Sequence, residues 1–409
     1  MVKIAPSKLS GSLKIQPSKS MAHRAIFCAA LAGGTSRLSN VAFSDDVNAT
    51  LQTVQALGLC TWAAEDGAVI LTDQAGSALS DADCNESGTT LRFSIPLAMD
   101  GKQHTFMGRG RLLSRPLDIY EEICRRQGIR MSRGEGCITI QGELFPDLFT
   151  MRGNISSQFV SGLLLALPRL KGDSRIIFTT PLESRPYVDM TMETMRRFGV
   201  ESEISAGDII VYGSQRYTPR DIVIEGDYSH AAFFAVGAAI SGNVEMTGLT
   251  GNSLQGDKHI FDIINNAGAQ VNGTSVSQGD LKAQDIDVSQ IPDLVPALCV
   301  LACRAQGTTT LYNAGRLRLK ESDRLFAMAY ELSKLGAVME EYDDKLVIKG
   351  VGRLHGGRVD SHGDHRVAMA LAVASCMADG IIEISNPQVV SKSAPGFFEE
   401  FTELGGQVL

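Results

Sequence analysis

A repeat constrains this chain more than any other feature. Six amphipathic segments, TLQTVQALG, YEEICRRQG, METMRRFG, FDIINNAG, AYELSKLG and FEEFTELG, each close on a glycine. The closing residues are Gly58, Gly128, Gly199, Gly268, Gly336 and Gly405, spaced by 70, 71, 69, 68 and 69 residues. Glycine just past the last helical residue accepts the left-handed conformation without a Cβ clash, so each segment reads as a helix end. A second, more apolar set keeps the same rhythm: MAHRAIFCAALAGG, TTLRFSIPLAMDG, QFVSGLLLALPRLKG, HAAFFAVGAAISG, LVPALCVLACRAQG and HRVAMALAVASCMADG, ending at Gly34, Gly101, Gly172, Gly242, Gly307 and Gly380. Helices that are apolar nearly all round belong inside, and the partly polar first set belongs outside. Between them, runs such as AVILT (68–72), CITIQ (137–141), RIIFTT (175–180), DIIVY (208–212), DIVIEG (221–226), KLVIKG (345–350) and IIEIS (381–385) read as strands. Each unit is therefore roughly βαβαββ, and six units divide most simply as three plus three. A length of 409 residues also asks for more than one core.

Composition narrows the function. Hydrophobic residues are 44% and charged residues 21%, enough apolar surface for large cores and too little charge for disorder. The formal net charge of -8 argues against a nucleic-acid partner. No run reaches 18 apolar residues and MVKIAPSKLSG holds no long apolar stretch, so a cytoplasmic protein without a membrane association is expected. Cys28, Cys60, Cys84, Cys124, Cys137, Cys299, Cys303 and Cys376 form no CxxC pair and read as reduced, mostly buried thiols. There is no GxxxxGK[ST] and no GxGxxG after a strand, which removes the P-loop and the dinucleotide fingerprint. His362-x-x-His365 has no cysteine or second histidine cluster to complete a metal site, so no metal is expected.

The starts of the apolar helices read PSKS (17–20), ESGTT (86–90), SSQ (156–158), DYS (227–229), IPD (291–293) and HGDHR (362–366). Serine, threonine and aspartate there are good N-caps. Caps alone do not call for Lys19, Arg24, Arg92, His365 or Arg366 beside them. Parallel helices whose positive ends converge, with cations added, make an anion site. Short loops add Arg111, Arg115, Arg185, Arg324 and Lys392, together with the carboxylates Asp293, Glu321 and Asp323.

Taken together, PSKSMAHRA, ESGTTLRF, RLLSRP, SSQFVSGLLLA, ESRPYVDMT, IPDLVPAL, LKESDRLFAMAYELSKLGA, GDHRVAMA and VSKSAPGFF resemble the 5-enolpyruvylshikimate-3-phosphate synthase family along the whole chain. The resemblance implies an α/β (α+β) protein of two similar domains, each of three βαβαββ repeats, with buried parallel helices and outer sheets, an inside-out α/β barrel. Residues 1–16 plus 226–409 would form the first domain and 17–225 the second, with the active site in the cleft between them. It further implies that Lys19, Ser20, Arg24, Ser156, Ser157, Gln158, Ser184, Tyr187, Asp293 and Lys320 bind shikimate 3-phosphate. Lys19, Gly88, Arg111, Gln158, Arg324, Arg366 and Lys392 would bind phosphoenolpyruvate. Asp293, Glu321 and Lys19 would be the catalytic set, and no metal or organic cofactor is implied. Glu86, Arg316 and Phe93 stand where many or some members have asparagine, asparagine and proline.

The implied reaction suits these residue types. Two polyanions repel unless cations offset them. A carboxylate accepts the proton of the attacking hydroxyl while a general acid protonates the methylene carbon. Gly88, lacking a side chain, would leave room beside phosphoenolpyruvate. Two other readings share parts of this pattern. UDP-N-acetylglucosamine enolpyruvyl transferase has the fold, but typically a reactive cysteine near Arg111, where this chain has GRGRLLSRP. A non-catalytic anion-binding paralogue would not need Lys19, Asp293, Glu321, Arg366 and Lys392 together. A monomer is expected.

Overall fold

The computed structural model describes residues 1–73 and 81–409. The chain divides into two compact units, Pro17–Glu225 and Met1–Gln16 with Gly226–Leu409, and each unit has its own hydrophobic core.

The unit Pro17–Glu225 holds α1 (Lys19–Leu31), α2 (Asp45–Ala56), α3 (Gly88–Leu97), α4 (Asp118–Gln127), α5 (Ser157–Ala166) and α6 (Arg185–Arg197). The apolar helices α1, α3 and α5 are buried on nearly every residue. Each starts on a serine that accepts a backbone N–H: Ser18 from Met21, Ser87 from Thr90 and Ser156 from Gln158. Gly162 lets α5 approach α3 closely, since a Cβ there would lie 2.3 Å from the Arg92 carbonyl oxygen and 2.4 Å from the Tyr120 hydroxyl. Tyr120, on α4, donates to that same carbonyl at 2.6 Å and also reaches the Phe159 carbonyl at 3.3 Å, tying α4 to α3 and α5.

The other unit holds α7 (Tyr228–Ser241), α8 (Ile260–Ala267), α9 (Val295–Arg304), α10 (Arg324–Lys334), α11 (His365–Val373) and α12 (Phe397–Glu403). Here α7, α9 and α11 are the buried members. Phe233 and Phe234 of α7 are fully enclosed, each worth about 1.5–3 kcal/mol of burial. Asp227 caps α7 and Asp364 caps α11, whereas α9 follows a 3-10 turn, Pro292–Leu294, without a side-chain cap.

Each repeat closes a four-stranded sheet of one plan: a strand before the buried helix, the strand after it in parallel, then a hairpin added antiparallel. Three repeats borrow strands from far along the chain. Val2–Ala5 pairs antiparallel with Ile382–Ser385 and Gln407–Val408. Ser10–Lys14 runs parallel to Asn243–Thr247. The first sixteen residues therefore supply two strands to two sheets. Ile222–Val223 likewise completes the first sheet beside Thr35–Ser39, and is all that DIVIEG contributes as a strand.

All six outer-helix glycines adopt positive φ, from 70° at Gly58 to 108° at Gly268. The inner set is less regular: Gly34, Gly101, Gly172 and Gly307 also take positive φ, but not all of them act as helix stops. Gly242 is extended at φ -168°, and Gly101 lies inside the strand Asp100–Met107, three residues past the Ala98 cap of α3. Among the described residues no helix is long and apolar enough to cross a membrane.

Candidate active site

In the unit containing α10, the loop 320–323 and the starts of α10 and α11 bring the charges together. Arg324 is only 1% exposed in its side chain, and its guanidinium serves three carboxylates. Its Nε donates to Asp364 Oδ2 at 2.8 Å, Nη1 to Asp293 Oδ1 at 2.9 Å and Nη2 to Glu321 Oε2 at 2.9 Å. Arg366 Nη2 donates to Asp293 Oδ2 at 3.0 Å and its Nη1 to the Asp293 carbonyl at 3.3 Å. Lys320 Nζ lies 3.3 Å from Asp293 Oδ1. Asp293 is thus faced by three cations. Burial alone would raise its carboxyl, but Arg366, Lys320 and Arg324 hold it well below the ordinary aspartate value. Burial lowers the Lys320 ammonium, against the pull of Asp293. Lys392, at the end of the 3-10 turn Pro387–Lys392, is buried in the same unit.

In the other unit, Lys19 Nζ pairs with Asp46 Oδ2 at 2.7 Å, both largely buried. Arg24 ties two expected ligands together, donating to the Ser20 carbonyl and to the Tyr187 carbonyl, both at 2.7 Å, and to Thr191 Oγ1 at 2.8 Å. Its guanidinium also lies over the Phe93 and Tyr187 rings, at 5.4 and 5.8 Å, and burial lowers it to about 10. A second group surrounds the start of α3. Gln158 accepts from Arg92 Nη1 at 2.7 Å and donates to Thr89 Oγ1 at 2.9 Å. A Cβ on Gly88 would lie 2.8 Å from Arg115 Nη1, 3.2 Å from Arg92 Nη1 and 3.5 Å from Gln158 Oε1, so guanidinium ends bound the space that the sequence suggested was open. Ser184, at the start of α6, has φ 53° and ψ 36°, an uncommon left-handed conformation for a residue with a Cβ. Ser157 is buried in the first turn of α5, and Arg111 is exposed in the loop before Leu112–Ser114.

The substituted positions have local explanations. Phe93 is fully buried and packs edge-on against Phe27 at 5.6 Å. Glu86 lies over Gly110, where a Cβ would meet its Oε1 at 2.1 Å. Arg316 donates to the Ser289 carbonyl. Two contributors escaped sequence reasoning: Asp46, carried in SDDV, and Asp364, which GDHR displays but which reads first as the cap of α11.

Solved structures with this fold include enolpyruvyl transferases. EPSP synthase from Acinetobacter baumannii matches with a TM-score of 0.83 and 26% identity, covering 100% of this chain and 99% of that one. The enolpyruvyl transferase NikO from Streptomyces tendae, 18% identical with a TM-score of 0.80, shares the fold. The EPSP synthase (3-phosphoshikimate 1-carboxyvinyltransferase) family model matches residues 4–401. Curated relatives named 3-phosphoshikimate 1-carboxyvinyltransferase include those of Clostridioides difficile, 46% identical over 100% of this chain and 98% of its own, and Clostridium novyi, 45% identical over 99% and 97%. The chain belongs to the EPSP synthase family.

Proposed function

We propose that the chain transfers the enolpyruvyl group of phosphoenolpyruvate to the 5-hydroxyl of shikimate 3-phosphate, releasing phosphate, in aromatic amino acid biosynthesis. The full-length identity to relatives named for this activity carries the reading. It also favours this activity over transfer to UDP-N-acetylglucosamine. In this reading residues of both units serve one pair of substrates. Ser20, Arg24, Ser156, Ser157, Gln158, Ser184, Tyr187 and Lys320 hold shikimate 3-phosphate, and Gly88, Arg111, Gln158, Arg324, Arg366 and Lys392 hold phosphoenolpyruvate. Lys19 touches both.

Asp293 accepts the proton of the attacking 5-hydroxyl, and Glu321 takes part in the proton exchange at the methylene carbon. An aspartate so strongly paired is a weak base in the free protein. An anionic substrate drawing on Arg324 and Arg366 loosens their grip on Asp293 and raises its proton affinity when it is needed. Lys19, paired with Asp46, acts as a cation. The chain acts as a cytoplasmic monomer, with neither metal nor organic cofactor. A phosphate-release assay tests the activity: release should require both substrates, and release with either omitted would refute the reading.

The partition of ligands has its own test. Arg111→Ala or Lys392→Ala should raise the Michaelis constant for phosphoenolpyruvate about tenfold or more, as expected for losing a charged hydrogen bond, and that for shikimate 3-phosphate far less. Ser157→Ala should do the reverse, by about two- to tenfold. Indistinguishable shifts in the two groups would dissolve the partition. Gly88→Ala should also weaken phosphoenolpyruvate. Its methyl pushes on the Arg115 guanidinium, 2.8 Å from the new Cβ, and strains the Arg92–Gln158 bond. An unchanged Michaelis constant would show that these arginines shift without consequence.

A further inference from the structure

A set of buried polar side chains lies behind the start of α7 and takes no part in the chemistry above. Asp227 and Ser229 belong to the helix start, and Ser253, Gln255 and Asp257 to the segment that packs on it. Gln255 fastens the two, accepting from Tyr228 N at 3.1 Å and donating to the Gly226 carbonyl at 2.8 Å. Asp257, on the 3-10 turn Gly256–His259, is 2% exposed. Its Oδ2 accepts from the Ser229 hydroxyl, while its buried Oδ1 makes no hydrogen bond among the described residues.

A buried carboxylate with one donor is costly to ionise. Burial first, and then the negative charge of Asp293, push the Asp257 carboxyl up to about 7, with Arg366 and Ser229 pulling the other way. Asp293 is displaced in the opposite direction, well below its ordinary value. Carboxyls driven apart in this way divide proton-holding from charge-holding. The remaining charged groups around Asp257 are accounted for. Asp227 adds to the repulsion, Lys258 Nζ turns to the Ser253 carbonyl at 2.8 Å, and His259 pairs with exposed Asp262 at 3.0 Å. Arg366 is thus the cation shared by Asp257 and Asp293, touching Asp293 directly and acting on Asp257 through its charge.

We propose that Asp257, seated by Ser229, is a further positioning residue of the reaction, a buried carboxyl that sets how much of the positive charge of Arg366 is left for the anionic substrate. The proposal rests on the assignment of Arg366 to phosphoenolpyruvate. With its proton on, Asp257 is neutral and Arg366 divides its charge between Asp293 and the substrate. As pH rises through neutrality Asp257 ionises, a second negative charge draws on Arg366, and the grip on phosphoenolpyruvate weakens.

The test compares wild type with Asp257→Asn, which keeps an oxygen for Ser229 and cannot ionise. Michaelis constants for both substrates are measured from pH 6 to 8.5, with thermal melting to show that each protein is folded. Phosphoenolpyruvate titrates in this range too, but equally for both proteins, so their ratio isolates Asp257. The wild-type constant for phosphoenolpyruvate should rise about three- to tenfold more than that of Asp257→Asn, the upper figure being one pKa unit of interaction. Ser229→Ala, which removes a donor from the ionised form, should move the wild-type inflection to higher pH and serves even if Asp257→Asn is poorly folded. Parallel profiles for both substrates, or an unmoved inflection in Ser229→Ala, would overturn the proposal alone. A divergence confined to shikimate 3-phosphate would overturn the assignment of Arg366, and the proposal with it.

Discussion

Asp293→Asn is expected to lower kcat by about two to four powers of ten, the usual range for losing a general acid or base. The Michaelis constant for phosphoenolpyruvate should hold steady or fall. Both effects follow from what Asp293 touches. In the free protein its carboxylate occupies Arg366 Nη2 at 3.0 Å and Arg324 Nη1 at 2.9 Å, with Lys320 Nζ at 3.3 Å. It therefore competes with an incoming anion for those cations. The amide keeps the shape, gives up the charge and ends the competition, so binding is spared while the proton acceptor is lost. Glu321→Gln should cost kcat a similar factor without the same gain in binding, because Glu321 engages Arg324 through Nη2, whereas Asp293 engages both Arg324 and Arg366. Steady-state kinetics with both substrates varied checks both variants. Near-normal kcat in either would remove that carboxylate from the proton transfers.

Much of this architecture was legible in the sequence because local rules generate it. The outer-helix glycines are the clearest case: Gly58, Gly128, Gly199, Gly268, Gly336 and Gly405 all take the positive φ that a helix stop requires. The inner set kept the rhythm for other reasons. Pro96 inside α3 lies one residue before its end, and α5 runs into the 3-10 turn Leu167–Arg169 before Gly172 is reached. Long-range pairing has no local signature. Nothing near Val2–Ala5 indicates that it pairs with Ile382–Ser385 at the other end of the chain.

The cations of the candidate site stood out because Arg324, Arg366 and Lys392 sit in short motifs where helix capping does not account for them. Their partners were hidden by an equally good local explanation. Asp364 is the cap of α11, accepting from Arg366 N at 2.9 Å, and a capping aspartate attracts no further reading. The structure shows it doing both, since it also accepts from Arg324 Nε. The sequence put Asp293 and Glu321 in short loops like those of the cations without showing which of them touch. In the structure Arg324 and Arg366 are already engaged by carboxylates, and that engagement makes their removal as much a question of stability as of binding.

Arg324→Met should therefore destabilise its unit by about 3–5 kcal/mol near neutral pH, the cost of stranding buried charge. For a unit of this size that is a fall in Tm on the order of 10 °C. Methionine fills similar volume, so a cavity is not the source of the loss. What remains is Asp364, 0% exposed in its side chain, with Ser322 Oγ at 3.1 Å and the Arg366 backbone N–H as its donors, beside Glu321 and Asp293. The pH dependence separates this from a packing effect. In the wild type Asp293 and Asp364 have folded values below the ordinary aspartate value of about 3.9, so their stabilisation is complete above that and is lost only as pH falls through the folded values. In the variant Asp364 keeps its burial and loses its main cation, so its folded value rises above the unfolded one. Its ionisation then costs stability as pH rises and is relieved by protonation at lower pH. The gap between wild type and Arg324→Met should accordingly shrink from pH 7.5 to pH 5, because the variant recovers while the wild type is still fully supported. Arg324→Lys should fall between them, one ammonium being unable to reach three carboxylates in the fork geometry that arginine provides. Calorimetric melting of the three proteins at both pH values decides it: an equal loss at pH 5 and 7.5 would mean that Arg324 holds the unit through packing, with the three carboxylates indifferent to its charge.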